Sequence, residues 1–456
     1  MELNERSIVL RSIDLTQGSP AKKMVAFTLP IFIGNLFQQI YSVSDMFVIG
    51  RFLGKEALAA VGACSTIIIF ITSILIGLCM GSGVYFADLV GAKDYEKLSV
   101  SISTSFLFIL VVTAGIMLLT MVFIMPLMEL FNIPEAVMEL AKKYLIITVS
   151  GLPFMFLYNI STVVLRAFGD SKTPLIFLII ASTINVAFDF ILVIVWPLGV
   201  SGPAISTLAA QFFSGIPLAL YAIKKMRFLQ LKFSFQKTVF EQVARYSLLT
   251  SLQQSIMNFG ILLVQGLVNS FGVTTMAAFA IGVKIDTFAY MPVQDFGNAF
   301  STYVAQNKGA NKNERIRQGF KSAILCSTIF SVLLSVLVFV FAPNLVALFS
   351  DRDAGVIAQG TEYLRIEGLF YVLIGYLFIH YGFYRGLGHF RISIFLTIVS
   401  LGIRVCLSYL LIWSGLTVTS IWWSIIVGWA IADFCGFYIY KKSISPALQT
   451  SHNLSK

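Results

Sequence analysis

Asp189 stands in NVAFDFILVIV (185–195), a run otherwise apolar enough to lie in hydrocarbon, four residues after Asn185. That separation puts the two side chains on one face of a helix. Asp45, in QQIYSVSDMFVIG, is a second acid in a similar setting. Thr207, in LGVSGPAISTLAAQ, adds a hydroxyl oxygen if its segment packs on that of Asn185, as the short connection between them implies. Two carboxylates, an amide and a hydroxyl are hard oxygen donors: they could hold a sodium ion, or the two acids could share a proton. The competing reading is that these side chains only bond neighbouring helices together.

An ionised side chain at mid-membrane costs about 2.5–3.5 kcal/mol even on the lenient insertion scale, so each one needs a reason. The first half has no Lys or Arg within an apolar run, so a positive partner for Asp45 and Asp189 has to arrive from solution. The second half carries Lys284, Asp286 and Asp295 in AIGVKIDTFAYMPVQDFG, then Arg404 and Asp433. The primary expectation there is a charge-balanced network of Lys284, Asp286, Asp295 and Arg404, with substrate binding or a second protonation site as the alternative. Gln38, Tyr41 and Ser42 precede Asp45 by seven, four and three residues, so they share its helix face and are expected to border the ion site or a substrate cavity. Gln254, Asn258 and Met291 are the cavity candidates of the second half. Pro30 lies about four turns before Asp45, where the missing backbone bond favours a bend.

The elements that carry these residues are apolar runs of about 20 residues or more, the length a helix needs to cross the hydrocarbon core. They begin near residues 24, 58, 98, 136, 172, 203, 241, 276, 318, 358, 392 and 418, giving twelve spans and an all-α integral membrane fold. With 57% apolar and 12% charged residues, the composition excludes a soluble globular protein of this length. Threading twelve spans puts 24 of the 32 Lys and Arg on the side of the N-terminus and six on the other, with Lys284 and Arg404 inside spans. The positive-inside bias then makes both termini cytoplasmic and places the protein in the cell membrane. Topology thus accounts for the net charge of +10, and no nucleic-acid partner is implied. Cys64, Cys79, Cys326, Cys406 and Cys435 all fall in apolar runs with no metal or disulfide spacing, so they read as packing residues, and no cofactor is expected.

GAKDYEK (91–97) recurs as GANKNER (309–315), and RAFGD (166–170) as RGLGH (385–389). The shifts of 218 and 219 define two six-span lobes in the same orientation. The expected organisation is a cytoplasmic tail, 1–23; an N-lobe, 24–225; a basic cytoplasmic linker, 226–240; a C-lobe, 241–441; and a second tail, 442–456. Asn185 repeats as Arg404 and Asp189 as Ser408, so a coupling site built on the acids belongs to the first half only. GLCMG (Gly77, Gly81) reads as a close helix contact.

These features together resemble the multidrug and toxic compound extrusion (MATE) transporters, and within them the DinF-like branch. The likeness spans nearly the whole chain and includes RAFGDSKTP after the fourth span, GAKDYEK after the second, and Asp45 followed by FLGKEALAAVG. It implies that Asp45, Asn185, Asp189 and Thr207 form a first-lobe cation site, and that Pro30 is a proline whose bending serves the transport cycle. It also implies a sodium- or proton-coupled antiporter exporting amphipathic, often cationic, organic compounds by alternating access, expected to act as a monomer in the lipid bilayer and not as an enzyme. The NorM-like branch fits less well: its second-lobe acids on spans seven and ten are expected to be absent, since span seven offers Gln253, Gln254 and Asn258, and mid-span ten Tyr376 and His380. A lipid-linked sugar flippase of the same superfamily is the nearest rival; twelve spans and first-half intramembrane acids argue against it. A membrane-bound transferase would need a clustered-aspartate diphosphate motif, and no DDxxD-like run is present.

Overall fold

Segments this apolar bury no polar backbone without pairing it, so helices are the economical solution. The computed structural model describes residues 13–453 apart from 132, 233, 351 and 352; the start of the expected N-terminal tail, residues 1–12, and the end of the C-terminal tail, residues 454–456, lie outside the described residues. The helices are α1 (Pro20–Val48), α2 (Gly54–Ala92), α3 (Tyr95–Val122), α4 (Ile124–Leu130), α5 (Glu135–Ser150), α6 (Leu152–Ala167), α7 (Lys172–Phe190) and α8 (Ser201–Lys225), then α9 (Lys237–Asn269), α10 (Val273–Gly309), α11 (Asn313–Ala347), α12 (Ala354–Leu369), α13 (Tyr371–Gly386), α14 (Phe390–Trp413), α15 (Thr419–Ile439) and α16 (Ser445–Asn453).

Among the described residues ten helical stretches are long and apolar enough to cross a membrane, and one of them, Pro20–Ala92, runs for 73 residues. At 1.5 Å per residue that is about 110 Å, far more than one crossing needs. It is interrupted at Gly54, whose φ of 85° is open to glycine and strained for other residues. α1 and α2 are therefore two spans. α12 and α13 meet at a 54° bend and together make one more. The count reaches the twelve that hydropathy indicates.

The internal repeat is visible in the backbone. Left-handed residues recur in pairs: Gly54 and Gly272, Lys93 and Asn311, Gly169 and Gly388, Gly199 and Gly415. The two quoted motifs are turn chemistry. Asp94 caps α3 by accepting from the Lys97 amide at 3.1 Å. Asp170 accepts from the Thr173 amide and hydroxyl at 3.0 and 2.7 Å and pairs with Lys225 at 2.5 Å.

The chain divides into two compact units, Leu29–Ser251 with the described residues up to Asp14, and Leu15–Thr28 with the residues from Leu252 onward. The divisions differ from the hydropathy boundaries. The first half of α9 belongs to the first unit because it lies directly on α2: Ser82 and Ser247 share a hydroxyl hydrogen bond of 2.8 Å, and a Cβ on Gly81 would come within 2.2 Å of the Tyr246 carbonyl oxygen. The start of α1 belongs to the second unit, and the change of unit falls between Thr28 and Leu29, beside Pro30.

Within the second unit α10 and α13 are the most intimate pair. A Cβ on Gly382 would meet the Gly297 carbonyl oxygen at 2.1 Å, so only glycine permits that approach. α11 shows which side faces lipid: Leu325, Ile329, Leu333, Val336 and Val340 are exposed, whereas Ser327, Ser331 and Ser335 are buried.

Candidate functional site

α7 and α8 form a helical hairpin closed by Gly199, and Gly202 brings the start of α8 against the Leu192 carbonyl. That closure sets Ser206 and Thr207 of α8 beside α7, whose Asn185 and Asp189 are wholly buried. Asp45 of α1 is half-buried and reaches Asp189, Asn185 and Thr207, while Asp189 also reaches Ser206. The four first-lobe candidates thus come together. Tyr144 of α5 faces both acids, and Tyr41, one turn before Asp45, faces Asp45.

These groups are near one another but are not hydrogen-bonded. Both carboxylate oxygens of Asp189, both amide atoms of Asn185 and Oδ1 of Asp45 are buried without a hydrogen-bond partner. Each such atom costs about 1–3 kcal/mol, and more where it bears charge. A carboxylate, an amide oxygen and a second carboxylate left unsatisfied around one point are what a small cation or a shared proton would satisfy. Among the described residues no group of three or more His, Cys, Asp and Glu could hold a metal ion. Asp45, Asn185, Asp189 and Thr207 offer only oxygen and amide groups, the hard donors that suit a hard cation.

In the second unit the positions of Asp189 and Ser206 are taken by a pair of serines that satisfy each other. Asn185 repeats as Arg404, Asp189 as Ser408 and Ser206 as Ser424. Ser408 and Ser424 bond each other at 2.5 Å and reach backbone carbonyls at 2.7 and 2.6 Å. No charge is left over at those two positions.

Of the expected second-unit network, Arg404 lies near Asp286, whereas Lys284 stands apart. Lys284 is exposed and makes no ion pair among the described residues. The physical reason is helical: residues two apart point to nearly opposite sides, so sequence neighbours Lys284 and Asp286 cannot meet. Asp286 is buried and accepts from the Tyr363 hydroxyl at 2.7 Å and from the Tyr371 hydroxyl. Beside it lie Arg404 and Glu367, the latter buried and absent from the sequence candidates. Glu367 corrects the expectation that span ten lacks an acid, since α12 is the first limb of that bent span. Its signal was legible in TEYLRIEGLFY: Tyr363, Glu367 and Tyr371 recur every four residues. Asp295 is buried on α10, nine residues beyond Asp286. Asp433 lies 3.3 Å from the His380 Nδ1, and both are buried.

Of the cavity candidates, Gln38 and Ser42 are exposed, and Tyr41, Gln254 and Asn258 are half-buried. Met291 is buried and does not line the second-unit cleft; the methionine that does is Met257. Ser206 was missed because adjacent helical residues diverge by about 100°, which made Thr207 alone the economical choice.

The MatE family profile matches residues 30–191 and 247–410. The chain is 28% identical over 396 residues to a Bacillus subtilis (strain 168) protein described as "Probable multidrug resistance protein YpnP", covering 86% of this chain and 88% of that one. It is 24% identical over 431 residues to "Multidrug export protein MepA" of a Staphylococcus saprophyticus strain, covering 93% and 94%. Its fold superposes with a TM-score of 0.89, at 23% identity and 96% and 98% coverage, on a solved structure described as the outward-facing conformation of a multidrug resistance MATE family transporter of the MOP superfamily.

Proposed function

Because this chain belongs to the MatE family and is a multi-pass membrane transporter, we propose that it exports amphipathic organic compounds, many of them cationic, in exchange for sodium ions or protons. The observation that carries this reading is the unsatisfied set Asp45, Asn185 and Asp189, with Thr207 at hand, in a setting where no Lys or Arg acts on either acid. The names of the relatives, multidrug resistance and multidrug export proteins, agree with it.

A bound ion drives a transport cycle only by binding one conformation more tightly than another. A carboxylate pair that is costly when empty and relieved when loaded supplies that difference, worth about 2.5–3.5 kcal/mol per buried charge. The membrane potential adds about 2.3 kcal/mol per 100 mV for each charge moved across. In this reading Pro30, beside the point where α1 passes from one unit to the other, lets α1 bend as the site loads. In this reading both termini lie in the cytoplasm, which the one-sided distribution of basic residues supports, so that a cysteine added at the C-terminus stays unlabelled by impermeant reagents in intact cells; external labelling there would refute that orientation.

Purified protein in vesicles, preloaded with a fluorescent organic cation, tests the function. Dye movement should accelerate when a sodium or proton gradient is imposed and collapse with an ionophore. Identical movement with and without both gradients would refute coupled exchange.

A further inference from the structure

In the first unit a groove of ≈ 670 Å³, counting the solvent at its mouth, lies between the early turns of α3 and the last turns of α6 and α8. Its wall is apolar apart from Ser103 and Ser161, and includes Met226 and Leu231 of the linker beyond α8. Ile223 of the same wall is exposed, so the groove opens to the outside of the unit. The linker is fixed there. Phe228 lies 6.1 Å from Tyr95 and from Phe168 between ring centroids, and the Ser99 hydroxyl donates to the Gln230 carbonyl at 3.2 Å and accepts from the Lys232 amide at 3.0 Å.

The second half fills the equivalent space with rings. By the motif shifts of 218 and 219, Phe320 stands where the first half has Ile102, Tyr376 where it has Leu157, His380 where it has Ser161 and Phe383 where it has Val164. The shift of 218 that pairs Ser206 with Ser424 sets Phe437 against Ala219 and Tyr440 against Ala222. These rings pack on one another: Phe320 is 4.3 Å from Tyr440 and 4.6 Å from Phe383, and His380 is 4.5 Å from Phe437. The first half carries small or aliphatic side chains at all six positions, and the groove is the result. Apolar walls facing empty space lose their dispersion contacts, so a membrane protein that keeps such a groove gains by filling it with hydrocarbon from the bilayer.

The rim says which lipid. Lys224, next to Ile223, and Arg227, next to Met226, are exposed and make no hydrogen bond or ion pair among the described residues. The neighbouring acids are already taken, Asp170 by Lys225 at 2.5 Å and Glu96 by Lys232 at 2.9 Å. Two unspent positive charges therefore flank an apolar groove at a bundle end, the arrangement that suits an anionic headgroup with its chain alongside.

We propose that this groove binds an acyl chain of an anionic phospholipid, with Lys224 and Arg227 on the lipid phosphate. In the orientation given above the lipid comes from the cytoplasmic leaflet; binding itself depends neither on that orientation nor on export. Because Met226 and Leu231 share the groove wall, the bound chain also steadies the linker that leads into α9.

The test uses the purified full-length protein in phosphatidylcholine nanodiscs carrying a trace of phosphatidylglycerol with a photoactivatable diazirine on one acyl chain. Phosphatidylcholine bearing the same diazirine is the neutral counterpart, and mass spectrometry locates the adducts. Peptides holding residues 102–106, 157–164 and 219–231 should take up the phosphatidylglycerol probe about tenfold more than the neutral one, the worth of two cations beside an anionic headgroup. Lys224→Gln combined with Arg227→Gln should bring the two probes within about twofold while labelling of the groove persists. Ala222→Tyr, which sets a ring where the second half has Tyr440, should abolish labelling by both probes; Ala219→Phe serves if that variant does not fold. Adducts absent from these peptides, equal labelling by both probes in the parent, a preference that survives in the double variant, or undiminished labelling in a folded, filled groove would overturn the proposal.

Discussion

Replacing Asp189 by Asn removes a charge from the interior of the first unit while preserving shape, and its consequence for stability depends on sodium in a calculable way. In the parent both oxygens of Asp189 are buried and unbonded, as are both amide atoms of Asn185 and Oδ1 of Asp45. A sodium ion bound there stabilises the folded chain by RT ln(1 + [Na⁺]/Kd), about 2.7 kcal/mol at a concentration of 100 Kd. For units of this size that is a rise in Tm of about 5–10 °C. Asp189→Asn loses one ligand charge and the electrostatic part of the attraction, so the sodium-dependent rise should disappear. The variant should also melt above the sodium-free parent, because it no longer buries an unpaired carboxylate. The assay is thermal unfolding of purified protein across a sodium series, with choline chloride holding ionic strength constant. Since protons and sodium would occupy the same oxygens, the parent's response should also shrink as pH falls. A sodium-dependent rise of the same size in Asp189→Asn and in the parent would refute the assignment.

Asp170→Ala removes the cap on α7 and strands Lys225, so stability should fall by about 1 kcal/mol for the cap and by a further amount for the broken, nearly buried pair, with the sodium response intact; thermal melts with and without sodium read both effects. Gly81→Leu forces side-chain atoms into the Tyr246 backbone and should lower stability by at least the about 1–3 kcal/mol of an overpacked core, measured by the same melts. Tyr41→Ala opens the space next to Asp45 and should change the rank order of dyes exported; an unchanged profile over a panel of dyes removes Tyr41 from the cavity.

The twelve spans and the two-lobe repeat were legible because hydrophobic length and motif recurrence are local properties. Asp45, Asn185, Asp189 and Thr207 were legible because polar oxygen is rare in such runs and its spacing fixes the face. What hydropathy does not register is the partner of each face. α9 reads as one span of the second lobe, yet its first half packs on α2 through glycine and serine contacts that carry no apolar signal. Lys284 and Asp286 are close in sequence and diverge in space, whereas Glu367 and Asp286 are 81 residues apart and neighbours. Glu367 escaped notice because it sits just ahead of the bend that splits span ten, where an acid reads as a helix end.

The central claim is that Asp189, with Asp45, Asn185 and Thr207, holds the cation whose gradient drives export. Simultaneous recording of dye movement and of sodium and proton flux in the same vesicles addresses it most directly, with the parent and Asp189→Asn compared at equal protein content. The parent should move dye and a coupling ion in opposite directions at a fixed ratio, and Asp189→Asn should show neither ion flux nor gradient-driven dye movement. If Asp189→Asn exchanges dye for either ion at the parental ratio and rate, the carboxylate in NVAFDF only joins helices and the account is wrong.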